Sequence, residues 1–450
     1  MSHSLPKVAI VGSGISGLAA AHTLKGRARI TLFEAGDYFG GHTHTVDVTL
    51  PTPQGLVTHG VDTGFLVFNE RTYPNLIALF AELGVETAKS DMSFSVKAPS
   101  ATGGRTLEWS GSSLNSVFAQ RGNLVSWKFL RMLRDIARFN RITTALALSN
   151  AEAALVQPLG DFLHQQDFSR EFRDWYFLPM MGCIWSCPTD QMLQFPVATM
   201  IRFCHNHGLI QVTDRPQWWT VRGGARQYVE KIIAGIADKR LNTPVLRIER
   251  DAGAVRGGVT IVTRNAIEHF DKVILATHSD QSLALLPDAS SAERKTLGAI
   301  RYQANRAVLH TDSAVLPQKR IAWAAWNYER AAGIDLESSG VCLHYLLNML
   351  QPLPFEQPLL VSLNPVREIA RTHVMGEYDY THPVFDLAAI QAQRLLPALQ
   401  GRQHSYFCGA WTGYGFHEDG LKSGMNAAKL LLGQHAQHTQ AGPALQGVPA

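Results

Sequence analysis

The run Val8-Ala-Ile-Val-Gly-Ser-Gly-Ile-Ser-Gly17 constrains this chain more than any other stretch. Its apolar start, within Lys7–Val11, reads as a buried strand. Ile15–Lys25, packed with Ala19, Ala20 and Ala21, reads as a helix, and Arg29–Glu34 as the next strand. This is one strand–helix–strand unit with glycines at 12, 14 and 17. One glycine makes the tight turn, one lets backbone approach a diphosphate, and one packs helix on strand. The diphosphate then sits at a helix N-terminus, where free N–H groups and the helix dipole favour anions. Glu34 closes the second strand and can accept hydrogen bonds from a ribose. With a strand before, a helix after and an acid in place, the motif predicts a bound nucleotide.

A chain of 450 residues is too long for one simple core, so two joined domains are expected. The net charge of +4 is too small to argue for nucleic acid, although a basic patch against anionic lipid stays open. Cys183, Cys187, Cys204, Cys342 and Cys408 are odd in number and irregularly spaced, which fits a reducing compartment and not a disulfide framework. Cys183-x-x-x-Cys187 near His205-x-His207 lacks the spacing of a familiar zinc module, so no metal is expected. The first apolar run is too short for a secretory signal, and no run reaches the ~18–20 apolar residues of a spanning helix. The expectation is a cytoplasmic protein, at most peripheral to the inner membrane.

Further along, the chain reads as a helix Tyr73–Leu83 after Gly-rich loops, strands Asp91–Lys97 and Arg105–Trp109, and a long helical segment Asn123–Leu148. Residues 151–210 are helical and rich in Trp, Phe and Met. Arg226–Ile236 is a helix, Val245–Arg250 pairs with Val259–Arg264, and Lys272–Ala276 is a buried strand. Residues 300–365 alternate as a second sheet. Phe407–Gly409 returns as a strand, followed by a helix from about Gly420 to Leu432 and a disordered tail, 433–450. Two pieces favour FAD over NAD. Gly40-Gly41-His42 puts a second tight turn by the diphosphate, and the returning C-terminal segment brings another helix N-terminus to the flavin.

The chain resembles the flavin-containing amine oxidase and phytoene desaturase superfamily. The residues that carry this are the N-terminal motif with Glu34, Gly40-Gly41, Val61-Asp-Thr-Gly-Phe65, Arg222-Gly-Gly224, Val245 to Ile248, Val273-Ile-Leu-Ala-Thr277 and Phe407-Cys-Gly409 through Gly424. The resemblance implies an α/β fold with a discontinuous Rossmann-type FAD-binding domain (1–84, 215–300 and 380–432) and an inserted α+β substrate domain (85–214 and 301–379). More narrowly, Gly409 to Gly420, Asn348-Met-Leu-Gln351 and His310-Thr-Asp312 are similar to a bacterial group of predicted NAD/FAD-binding proteins. That group is often encoded beside cyclopropane-fatty-acid-synthase-like methyltransferases, which implies a methyltransferase partner.

Motif and resemblance together place non-covalent FAD against Gly12, Gly14, Ile15, Ser16 and Gly17, then Glu34 and Ala35, then Gly40, Gly41, His42 and Thr43. Gly64, Phe65, Val245, Ala276 and Thr277 follow, and Gly409, Ala410, Phe416, Gly420 and Leu421 close the set. Three departures from the amine oxidases matter. Their substrate-domain lysine has Asn305 or Arg306 in its place, Trp411 stands where relatives carry an acid, and residues 412–420 hold no cysteine to attach a flavin.

His417-Glu418-Asp419 is the densest polar cluster and precedes the C-terminal helix. It offers His417 as a general acid or base, since its ordinary pKa lies near working pH, or else Glu418 and Asp419 as helix caps. Arg121–Arg141 is a cationic amphipathic segment that can lie on a membrane interface. The primary expectation is an FAD-dependent oxidoreductase that forms or moves a double bond in a long apolar, acyl-type substrate. Amine oxidation with peroxide release and a non-catalytic FAD-bearing partner of a lipid methyltransferase are the alternatives.

Overall fold

Five parallel strands carry the N-terminal motif: Asp238–Arg240, Arg29–Phe33, Lys7–Val11, Lys272–Leu275 and Ser405–Phe407, in that order across the sheet. In this computed structural model residues 5–99, 106–149, 151, 157–185, 189–210, 215–251, 257–330 and 341–440 are described. The central strands are apolar without alternation because both faces are covered. Val8, Ile10 and Ile274 enter one core with the helices, while Ala9, Val11, Val273 and Leu275 enter another. The second is closed by the antiparallel strands Val245–Asp251, Gly258–Thr263 and Ile267–Phe270.

The helix Ile15–Leu24 packs directly on the C-terminal helix His417–Gln440. Glycines make the approach possible. A Cβ on Gly424 would overlap the Ser16 carbonyl oxygen, and one on Gly420 would crowd Ile15 and Ser16.

A second sheet has seven strands in the order Val374–Val384, Arg301–His310, Leu360–Leu363, Cys342–Leu346, Trp326–Glu329, Phe94–Ala98 and Leu107–Ser110. All pairs are antiparallel except Trp326–Glu329 with Phe94–Ala98. The helix Trp127–Leu148 turns Phe129, Met132, Phe139 and Ala147 into the same large apolar core.

Several boundaries differ from the sequence expectation. The C-terminal helix starts at His417, because the Asp419 carboxylate accepts the N–H groups of Tyr414 and Phe416 and caps the turn early. It runs to Gln440, past Gly433, where the tail was expected to begin. Residues 441–450 lie outside the described residues. The loops expected after Gly41 contain a hairpin, Thr45–Thr52 with Gly55–Asp62, closed by Pro53 and Gln54. The long helix begins only at Trp127, after a 3₁₀ turn over Arg121–Val125. Among the described residues no helix is long and apolar enough to cross a membrane.

Candidate functional site

The three signature segments converge on one cavity of about 720 Å³, walled by residues from both sheets. Its floor is the glycine turn. Gly12, at φ +100°, donates its N–H to Phe33 O (2.9 Å) and so folds the strand end back. Gly14 caps the first helix with no side chain over the helix N-terminus. A Cβ on Gly14 would touch nothing within 4 Å, because that direction opens into the cavity. Gly41 leans on Gly14 Cα from the other side. Glu34 is fixed by three donors: Ser13 N (3.0 Å), Ser13 Oγ (2.5 Å) and Gly36 N (2.9 Å). Trp411 donates Nε1–H to Thr277 O (3.2 Å), tying the third signature segment to the second.

Most of the residues expected to meet the cofactor line this wall: Gly12, Gly14, Ile15 and Ser16; Glu34 and Ala35; Gly40, Gly41 and His42; Gly64 and Phe65; Val245, Ala276 and Thr277; Gly409, Ala410 and Phe416. Four do not, and each has another task. Gly17 packs under the Gly12 carbonyl and Gly420 against the first helix. Leu421 is core. Thr43 sits one layer back, bonded to Tyr228 and His417.

The polar cluster His417-Glu418-Asp419 divides. His417 lines the cavity, with its ring stacked on Phe65 (3.7 Å between centroids) and Nε2 at 2.8 Å from Tyr228 Oη and 3.0 Å from Thr43 Oγ1. Burial pushes its pKa down to about 3, so the expectation of a group titrating near neutral pH is corrected. Glu418 and Asp419 are off the wall. Glu418 accepts Asn75 N, Asn75 Nδ2 and Leu76 N, closing the start of the helix Pro74–Leu83. Asp419 caps its own helix.

At the place of the amine oxidase lysine, Asn305 is buried behind the wall. Its Nδ2 donates to His382 Nδ1 (3.2 Å). Arg306 points outward to Glu377 (2.8 Å). His382 does reach the cavity, together with His278, and sequence reasoning missed both. They join His42 from distant parts of the chain, so only the fold brings them together.

The remaining wall is mainly apolar, with His207 and Tyr345 among its polar members. Met92, Ile184, Trp185, Phe203, Trp218 and Trp326 extend it away from the glycine turn. Phe203 stacks on Phe416 (5.0 Å), which links this arm to the third signature segment. Trp218 and Trp219, adjacent in an extended strand, point opposite ways: Trp218 faces the cavity and Trp219 donates to Glu70. Cys183, Cys204, Cys342 and Cys408 are free and buried, and Cys187 lies outside the described residues. The group nearest to metal-ligand spacing among the described residues is Glu329, Cys342 and His344, where Lys97 also holds Glu329 at 2.8 Å.

Residues 15–320 match the family of flavin containing amine oxidoreductases. The chain belongs to this family. No curated protein matches it in sequence. Its fold is similar to the CLA-producing fatty acid isomerase from P. acnes (TM-score 0.65, 16% identity, covering 94% of this chain and 98% of that one). It is similar also to the cyclohexylamine oxidase from Brevibacterium oxydans IH-35A (0.65, 17%, 96% and 100%). A putrescine oxidase bound to putrescine scores 0.64 at 15% identity, covering 96% and 99%. At these identities the likeness is one of fold. The protein is therefore an FAD-dependent oxidoreductase, and the residues present fit that cofactor: a bare glycine turn, a free helix N-terminus and an anchored ribose-side acid front one cavity.

Proposed function

We propose that this oxidoreductase forms or moves a double bond in a long apolar, acyl-type substrate, with FAD held non-covalently. The observation that carries the reading is the cavity wall. Its arm beyond the glycine turn is built mainly from aromatic and aliphatic side chains, with His207 among them, and Glu34, the one carboxylate among the described residues of the wall, is spent on Ser13 and Gly36. A protonated amine entering this arm meets no counter-charge, whereas an acyl chain meets apolar surface worth ~25 cal/mol per Å² buried.

Bound FAD would supply the two-electron chemistry, keeping the substrate's hydride where a double bond is formed and returning it where one is moved. The chain's own residues orient the acyl chain, exclude water and manage the proton. Nε2 of His417 is taken by the hydroxyls of Tyr228 and Thr43, so Nδ1 is the nitrogen that would accept a substrate proton. Burial keeps the ring neutral at working pH, ready to accept but reluctant to stay charged. For this the ring's resting proton would sit on Nε2, and as Nδ1 takes the substrate's proton it is the Nε2 proton that would leave through the Tyr228 or Thr43 hydroxyl.

The same reading extends to the surroundings. Val125 (87% exposed) and Trp127 (70%) stand out beside Arg121, Lys128 and Arg134 at the start of the long helix, a pattern suited to an anionic lipid surface. A lipid methyltransferase that acts on acyl double bonds fits as a reaction partner. The test is anaerobic incubation of the FAD-loaded protein with acyl lipids and, separately, with primary amines, followed by visible spectroscopy and mass analysis of the chains. Acyl-dependent bleaching or a shifted double bond supports the reading. Bleaching by amines alone overturns it.

A further inference from the structure

Among the described residues that wall the cavity there is no lysine and no arginine. A dinucleotide's diphosphate is a dianion, and the helix N-terminus at Gly14 offers only about half a positive charge. Groups that acquire positive charge on binding would add to that attraction.

Three such groups gather beside the glycine turn. His42 follows Gly41, whose backbone rests on Gly14. Its ring lies 5.3 Å from that of His382, 6.3 Å from that of His278 and 5.0 Å from that of Tyr380. The second layer holds these rings in place. Asn305 donates to His382 Nδ1, Thr381 bonds His278 Nδ1 (3.2 Å), and Tyr302 stacks on His278 (4.3 Å). His42 Nε2 is buried and has no hydrogen-bond partner, a cost that a ligand can remove.

Without an anion the cluster is neutral. Burial, then the neighbouring rings of His382, His278 and His417, hold His42 well below the usual imidazole range. Burial takes His382 down to about 4, and it lowers His278 against the opposing pull of Asp280. Besides Asp280, the titratable groups facing the cluster are His417, Tyr380 and Tyr302, and none of them is cationic at neutral pH.

We propose that His42, His278 and His382 form the anion subsite of the cavity, and that FAD binds with uptake of a proton by this cluster, its diphosphate being the anion served. The proposal rests on the FAD assignment. The alternative source of the same chemistry is the carboxylate of a fatty-acid substrate.

The test is calorimetric titration of FAD into the FAD-stripped full chain at about pH 7.5, in two buffers of different ionisation enthalpy. The expected result is stoichiometric binding whose heat differs between buffers by the amount for net proton uptake, with affinity weakening as pH rises. Replacing His42→Gln and His382→Gln together should remove most of that uptake. Equal heats in both buffers for the parent chain overturn the proposal, and so does uptake unchanged in the double variant. If the variant does not fold, the parent titration alone decides. Failure of the parent to bind FAD removes the cofactor assignment as well. A second arm titrates a long-chain fatty acid into the FAD-loaded protein. Uptake there, with none on FAD binding, assigns the cluster to the substrate carboxylate and overturns the diphosphate claim.

Discussion

Two glycines separate folding from cofactor binding at the level of single residues. Gly14→Val adds a side chain where the protein has no neighbour, at an ordinary φ of −62°. This variant should carry no flavin, read from the visible spectrum of the purified protein, and should fold with a thermal midpoint close to that of the FAD-free parent. Gly424→Ala puts a methyl group into the Ser16 carbonyl and should cost about 1–3 kcal/mol in denaturant unfolding while the cavity wall is untouched. His417→Ala should retain FAD and slow flavin reduction by the true substrate by ~10²–10⁴-fold if Nδ1 takes the proton. An unchanged reduction rate in stopped-flow traces would reduce His417 to a partner of Phe65. The packing of Gly420 and Gly424 against the first helix was hidden by its distance in sequence, whereas the tight turn at Gly12 was readable from spacing. The depressed pKa of His417 was not, because it follows from burial by Phe65, Tyr228 and Thr43, which lie far off in sequence.

Among elements, the first turn of the C-terminal helix is a junction. Glu418 closes the N-terminus of the helix Pro74–Leu83, so Glu418→Gln should destabilise the protein by ~1 kcal/mol and leave flavin reduction near the parent rate. The start of the long helix offers a separate test. Charge reversal at Lys128, Arg131 and Arg134, with Trp127→Ala, should weaken binding to anionic vesicles in a salt-sensitive way, measured by co-sedimentation. Arg138 is left out because its guanidinium lies over the Phe168 ring, 4.2 Å from the centroid, and bonds Gln166 O. Absence of vesicle binding in the parent protein removes the membrane claim. Four strands of the parallel sheet were legible as short apolar runs and the second sheet as alternation, whereas the edge strand Asp238–Arg240 was not, because all three of its residues are charged. The hairpin Thr45–Asp62 was passed over because its glycines and Pro51–Pro53 look like loop. The histidine subsite was invisible for a stronger reason: residues 42, 278 and 382 meet only through long-range packing, which no local period encodes.

For the whole molecule, burial of histidines sets the acid limit of stability. His207, His310 and His382 are pushed to about 4, His417 to about 3, and His42 and His278 downward, all first by desolvation. The unfolded chain takes up these protons near pH 6.5 and the folded chain does not, so stability falls as pH drops through the interval below 6.5. Buried Asp62, raised to about 7, and Asp419, raised to about 6, act in the opposite sense, as does His344, which against its burial is raised to about 9 by Cys342 and Glu329, and the lowered histidines outnumber these three. The FAD-free chain should therefore lose thermal stability between about pH 7.5 and about pH 4.5. A flat or rising midpoint would contradict the histidine assignment. The central claim is an FAD enzyme whose cavity receives an acyl chain, and anaerobic turnover tests it most directly. FAD-loaded protein mixed with defined acyl lipids should either bleach its flavin band with formation of a new double bond, or return chains with the double bond moved. Flavin that stays oxidised and acyl chains that stay unchanged, while primary amines bleach the same sample, would contradict the account.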